Sequence, residues 1–232
     1  MDSVIKPKKK ARASTNNFFS QDEFTDFLKY LRADYEDDNP RAFMILWLAA
    51  ATGMRRGEVL GLEWNCVDLK NHTINIKRSL KRSTHAYLGS PKNHSSIRTI
   101  AIDETTANYL QRWKKQQHSI LKYFNFDTYK TKGQLVFSTY RANKALPEPT
   151  ADKYINQITS KHGMKHVTFH GLRHTHATLL VENDTNVKSV SERLGHSSME
   201  TTLRIYVNND KRPNHEVADN FGKLMFSKSS QK

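Results

Sequence analysis

One cysteine, Cys66, stands in 232 residues. No internal disulfide can form, which excludes a disulfide-stapled secreted fold. Set in the apolar segment WNCVDL, Cys66 reads as a packed thiol in a reducing compartment. Long hydrophobic runs are missing as well. MILWLAAATG, residues 44–53, is too short to span a bilayer. The opening residues do not carry the pattern of a secretory signal. There is no internal repeat, no low-complexity block and no HExxH motif, and one cysteine excludes Cys-rich metal sites. Acidic residues are scarce: 23 Asp plus Glu face 37 Lys plus Arg, a formal net charge of +14. None of the 23 falls between Asn71 and Ile102. A polyanionic partner suits such a chain, nucleic acid before an anionic membrane surface.

The length fits one domain, or one domain with an extension, and supports a real core. Residues 1–18 read as a basic linker or arm, with five cations between Lys6 and Arg12 in KPKKKARA. Ser20 and Glu23 form a capping box ahead of Phe24, Phe27, Leu28 and Leu31, which follow helical spacing. Residues 40–52 predict a strongly apolar helix stopped by Gly53, with a second helix starting just after it. HTINIKRS and SIRTIAI alternate and are β-branched, so they predict strands of a small antiparallel sheet. HAYLGSPKNHS supplies the turn between them and room for a middle strand. Helical spacing returns from Asp103 to Lys122, QLVFS (134–138) reads as a short buried strand or turn, and residues 149–163 run from a helix-starting Pro149 to a Gly163 stop. Phe169–Glu182, Val187–Leu194 and Met199–Val207 predict short helices, and Val217, Phe221, Leu224 and Met225 form a terminal apolar stripe. The fold class is α+β, a mainly helical single domain with a small antiparallel sheet.

Against this background a set of reactive residues stands in order: TGMRRGE (52–58), SPKNHS (90–95), HGLRH (170–174), LGH (194–196) and Tyr206. These residue types suit metal-free cleavage of a phosphodiester. Such a reaction needs a nucleophile, neutralisation of charge on phosphate and a proton for the leaving group. Tyr206 supplies a phenol. With a pKa near 10, only about one such group in a thousand is ionised at neutral pH, so it needs a base or a positive field. Arg55 and Arg173 supply guanidinium groups that can grip two phosphate oxygens. The Gly53 and Gly57 neighbours favour a constrained turn around Arg55. His170, three residues before Arg173 and on the same helix face, can take the phenol proton or hydrogen-bond phosphate. His196 adds a second imidazole. Lys92 is the candidate general acid, with Lys81 and Arg82 as nearby alternatives. Glu58 reads as a structural brace for an arginine, and Arg56 as a solvated or DNA-backbone-contacting side chain. Six cations, Lys77, Arg78, Lys81, Arg82, Lys92 and Arg98, populate the acid-free hairpin, a composition suited to a DNA groove. His174 and His176 extend the imidazole cluster, but their spacing is not a zinc signature, and no metal is expected.

In this order the motifs resemble those of the tyrosine recombinase (phage-type integrase) family, from about Phe18 to Val207. TGMRRGE resembles the first arginine box, PKNHSSIRTI the lysine-bearing hairpin, and HGLRH the histidine–arginine box. LGH resembles the second histidine, with Tyr206 at the family's distance beyond it. The resemblance implies the DNA breaking-rejoining fold and a catalytic set of Arg55, Lys92, His170, Arg173, His196 and the nucleophile Tyr206. It implies a 3′-phosphotyrosyl intermediate, no cofactor and no metal. Four protomers would act on two double-stranded DNA sites through a Holliday junction, with accessory DNA-bending or directionality factors, in a bacterial cytoplasm at the nucleoid. It also implies that residues 19–232 form the catalytic domain, that the family's core-binding and arm-binding domains are absent, and that the isolated piece is a monomer. Two other readings stay open: a type IB topoisomerase-like relaxase, and a non-catalytic DNA-binding descendant. A basic helix-turn-helix regulator would not require this residue order.

Overall fold

The computed structural model describes residues 17–81, 87–89 and 97–196. Helix α1 (Gln21–Tyr35) begins at the predicted capping box: the Ser20 N–H donates to Glu23 Oε2 at 2.8 Å and the Glu23 N–H to Ser20 Oγ at 3.3 Å. Each bond satisfies a donor that the first helical turn leaves unpaired. Helix α2 (Pro40–Thr52) is the centre of the molecule. Asn39 caps it, Pro40 presets its first φ, and every residue from Ala42 to Ala50 is buried. Apolar on all sides, it has neighbours on all sides: α1, and then α4 (Glu104–Tyr123), α5 (Pro149–Lys161) and α6 (Phe169–Glu182) pack around it. It ends at Gly53 in the left-handed conformation, φ 64°.

The short helix α3 (Arg56–Leu60) follows, and a 3₁₀ turn (Trp64–Cys66) leads into the sheet. Strands β1 (Val67–Asp68), β2 (Thr73–Ile76) and β5 (Arg98–Ala101) form an antiparallel sheet in the order β1-β2-β5, with Ile74 opposite Ile100 and Ile76 opposite Arg98. Strands β3 (Ser79–Lys81) and β4 (Tyr87–Gly89) form a separate two-stranded hairpin. The sequence predicts one small sheet; the structure divides it, because β3 leaves β2 to pack on α3. Gly57 makes this approach possible, since a Cβ there would lie 2.5 Å from Ser79 Oγ and 2.6 Å from the Leu80 carbonyl oxygen.

Asp103 caps α4 by accepting the Thr106 N–H at 2.9 Å. QLVFS runs buried beneath α4, forming an isolated bridge between Leu135 and Glu63. Trp113 Nε1 donates to the Val136 carbonyl at 2.8 Å, and Gln117 Nε2 reaches the Leu135 and Val136 carbonyls. These side chains satisfy backbone groups that the short segment cannot pair through a ladder. Helix α7 (Val187–Leu194) closes the described chain, capped at Gly195, φ 66°. It is anchored on α6 by a small apolar cluster of Ala177, Val181, Val190 and Leu194, separate from the main core. The predicted helix at Met199–Val207, the stripe at residues 214–226 and most of the basic arm lie outside the described residues. Among the described residues, no helix is long and apolar enough to cross a membrane.

Candidate active site

Arg55 stands at the N-cap of α3, two residues beyond the left-handed turn at Gly53. Its backbone N–H donates to Glu58 Oε2 at 2.9 Å, its Nη1 to Glu58 Oε1 at 2.9 Å, and its Nη2 to the Gly195 carbonyl at 2.7 Å. Glu58 is 2% exposed and accepts from a second arginine in fork geometry, Arg98 Nη1 at 3.1 Å and Nη2 at 3.0 Å. Burial alone would raise the Glu58 pKa. The hydrogen bonds and charge of Arg98, then those of Arg55, outweigh burial and hold it below the ordinary carboxylate value.

Arg173 projects from α6 and is 3% exposed. Its Nη1 donates to the Gly53 carbonyl at 2.9 Å and its Nη2 to the Leu194 carbonyl at 2.8 Å. Burial, followed by the positive charge of Arg55, pushes its pKa down to about 9, which still leaves it protonated at neutral pH. Arg55 and Arg173 therefore clasp two consecutive carbonyls at the end of α7, and His196 follows directly.

His170 lies in the first turn of α6, whose N-cap Thr168 accepts the Gly171 N–H at 3.1 Å. It keeps an exposed edge and meets the His174 ring edge-on, centroids 4.6 Å apart. Desolvation against the protein, then His174 and the guanidinium groups of Arg173, Arg55 and Arg56, lower its pKa to about 4. His196 is half-buried, and burial followed by Arg173 and Arg55 likewise lowers its pKa to about 4. Both imidazoles are neutral at pH 7. Three guanidinium groups, Arg55, Arg98 and Arg173, thus surround a single carboxylate, leaving a positive site able to attract an anion such as phosphate.

Arg55, His170, Arg173 and His196 come together here from three chain segments. Lys92, Arg82 and Tyr206 lie outside the described residues. Lys77 and Arg78 are exposed beside the hairpin, with Arg78 Nη1 3.0 Å from Glu63 Oε1, and Lys81 is half-buried on β3. Arg56, expected to be solvated or on the DNA backbone, has carboxylate partners within the protein. Its Nη2 donates to Glu148 at 2.7 Å and its Nη1 to Asp152. Glu148 stands just before α5 and Asp152 lies in its first turn, so Arg56 docks on an acidic helix start. His174 packs on His170, and His176 bonds to the Ala50 carbonyl and Arg193. Among the described residues no His, Cys, Asp or Glu side chains group in a way that could hold a metal ion.

Arg98 is the site residue that the sequence reading leaves among the hairpin cations. A signal for it exists: Arg98 and Ile100 are two apart, so they share a strand face, and Ile100 is 2% exposed. A charge on a buried face demands a partner. That the partner is Glu58 is invisible in the sequence.

The chain matches the phage integrase family over residues 17–212 and belongs to that family. It is similar to the integrase of Staphylococcus phage L54a, 30% identical over 181 residues, covering 76% of this chain and 50% of that protein. It is similar also to a XerC-like tyrosine recombinase of Caldanaerobacter subterraneus, 31% identical over 170 residues, covering 68% of this chain and 43% of that protein. The chain spans about half the length of these curated relatives. Its fold matches the Tn1549 transposon integrase in complex with circular intermediate DNA, with a TM-score of 0.74 at 20% identity, covering 91% of this chain and 68% of that one.

Proposed function

We propose that this chain is the catalytic domain of a site-specific DNA recombinase that cleaves and rejoins strands through a 3′-phosphotyrosyl intermediate. The observation that carries the reading is the anchoring of Arg55 and Arg173 on the consecutive carbonyls of Gly195 and Leu194, immediately before His196. This arrangement holds two fixed positive charges and an imidazole around a space suited to one backbone phosphate. Preorganised donors of this kind favour the charge that gathers on the non-bridging oxygens in the transition state. Family membership supports the same chemistry.

In the proposed reaction the Tyr206 oxygen bonds to phosphorus, the bond from phosphorus to the 5′ oxygen breaks, and the phenol proton passes to His170. Lys92 gives the 5′ oxygen its proton. A 5′ hydroxyl from a second duplex then attacks the phosphotyrosine and releases Tyr206. The bond energy is kept in the phosphotyrosine, so no cofactor is required. His170 is a weak base in the free protein. The negative charge of an entering phosphodiester raises its pKa, so it becomes a better base when substrate is present. The basic hairpin, with Lys77, Arg78, Lys81 and Arg82, and the arm at residues 1–18 would track the DNA backbone. The setting is a bacterial cytoplasm, at the nucleoid, with four protomers in the synapse and accessory factors setting direction. The stripe at residues 214–226 would pack in cis or on a neighbouring protomer.

A nicked suicide substrate tests the reading. The expected result is a covalent protein–DNA band that disappears in Tyr206→Phe, and exchange of partners between two labelled duplexes. No band from the unaltered chain overturns the enzyme. Rejoining of original strands only would make it a relaxase.

A further inference from the structure

Helix α7 has only eight residues and packs on α6 through a small apolar cluster. Its last turn is held by the buried Leu194 and by a set of polar bonds. The Arg193 guanidinium divides its donors among three other elements. Nε donates to His176 Nε2 on α6 at 3.1 Å, Nη1 to the Ala101 carbonyl of β5 at 2.9 Å, and Nη2 to the Ala51 carbonyl of α2 at 3.2 Å. His176 Nδ1 lies 3.0 Å from the Ala50 carbonyl. A carbonyl only accepts, so Nδ1 carries the proton and Nε2 is left as the acceptor for Arg193. The ring is held in one tautomer and uncharged.

The next carbonyls are the orphan acceptors of the helix end, since the Gly195 and His196 N–H groups turn back to Glu192 and Ser191. Arg98 Nε donates to the Arg193 carbonyl at 2.6 Å, Arg173 Nη2 to Leu194 at 2.8 Å and Arg55 Nη2 to Gly195 at 2.7 Å. Three guanidinium groups are thus registered on three successive carbonyls, at the negative end of the helix dipole. A displacement of this one turn moves all three, and His196 with them.

We propose that His176 and Arg193 are a positioning pair, which sets the last turn of α7 and through it the placement of Arg55, Arg98, Arg173 and His196. The pair rests on the reading of that cluster as the phosphate site. Both residues are committed to the protein: His176 bonds to the Ala50 carbonyl and Arg193, and all three donor nitrogens of Arg193 are taken by His176, Ala101 and Ala51.

The test compares His176→Phe, which keeps a ring but removes the donor and acceptor, with His176→Gln, which restores one of each without charge. Single-turnover cleavage of the nicked duplex at saturating DNA is expected to fall on the order of 100-fold in His176→Phe, the scale of a small misplacement of catalytic groups. DNA affinity should fall far less than the rate, because the hairpin and arm cations carry most of the phosphate contacts in the proposed complex, and His176→Gln should recover most of the rate. Adding Arg193→Met to His176→Phe should cost less than Arg193→Met alone, because the two act through one contact. A rate in His176→Phe close to that of the unaltered chain overturns the pair. So does a cycle in which the two losses simply add, or a Gln variant as impaired as the Phe variant. A second measurement needs no activity: the Arg Nε–H resonances of Arg55 and Arg173 in the DNA-free protein should shift in His176→Phe and return in His176→Gln. If the unaltered chain forms no covalent adduct, the proposed function falls, and these resonances still decide the pair.

Discussion

Replacing Glu58 by Gln removes one negative charge from the centre of the site and little else in volume. The Glu58 carboxylate accepts four bonds, from the Arg55 backbone N–H, Arg55 Nη1, and Arg98 Nη1 and Nη2. The side chains of Glu58 and Arg98 are 1% and 7% exposed, so solvent cannot take over the freed charge. Breaking a buried pair from one side costs about 3–5 kcal/mol, since the remaining guanidinium stays buried without its counter-charge. The Gln amide makes matters worse, because its NH₂ faces donors where Oε2 had accepted. In a domain of this size each kcal/mol lowers Tm by about 2–4 °C, so the expected loss is about 6–20 °C. Thermal denaturation at pH 7 measures it, with urea denaturation as a check. Glu63→Gln is the control: Glu63 is also buried, but its partner Arg78 is 56% exposed, so water takes over the freed guanidinium and the loss should be about 1 kcal/mol. Covalent trapping should fall sharply in Glu58→Gln, because Arg55 loses its brace, and stay near normal in Glu63→Gln. A Glu58→Gln loss no greater than that of Glu63→Gln would refute the claim that this carboxylate organises the site.

Acid should loosen the protein between pH 6.5 and about 4. His176 and His196, by burial and neighbouring positive charge, and the more exposed His170, by partial desolvation and the same charges, have pKa values lowered to about 4. The unfolded chain binds their protons first, so stability is complete above pH 6.5 and falls as pH drops. His176 alone accounts for on the order of 2 kcal/mol at pH 5, and urea midpoints across this range that do not move would exclude the effect. Gly53→Ala should destabilise by about 1–3 kcal/mol, because φ is 64° and the new Cβ would lie 2.7 Å from Leu194 Cδ2 and 2.8 Å from His176 Cδ2. Gly163→Ala, at φ 59° with nothing within 4 Å, should suffer backbone strain alone and melt closer to the unaltered chain. Lys92→Ala should slow cleavage of an ordinary duplex yet leave cleavage of a 5′-bridging phosphorothiolate nearly unchanged, since a thiolate leaves without a proton; equal slowing of both substrates removes Lys92 as the general acid.

Local signals were legible in the amino-acid sequence wherever the physics is local. The Ser20–Glu23 capping box, the all-apolar α2 with its Gly53 stop, α6 at Phe169–Glu182 and α7 at Val187–Leu194 each follow from caps and spacing within a few residues. The motifs also named Arg55, His170, Arg173 and His196, which the fold brings together, while Lys92 and Tyr206 lie outside the described residues. What tertiary structure alone decided is who meets whom. Arg55 reaches a carbonyl 140 residues away at Gly195, and Arg56, its immediate neighbour, turns instead to Glu148 and Asp152. Arg98 is drawn under the surface to Glu58, and His176 is tied through Arg193 to the end of α7. A hydrogen bond between distant segments leaves no periodic trace along the chain. It depends on how α2, α6 and the sheet pack, and that is set by the summed burial of many apolar side chains rather than by the residues that use the result.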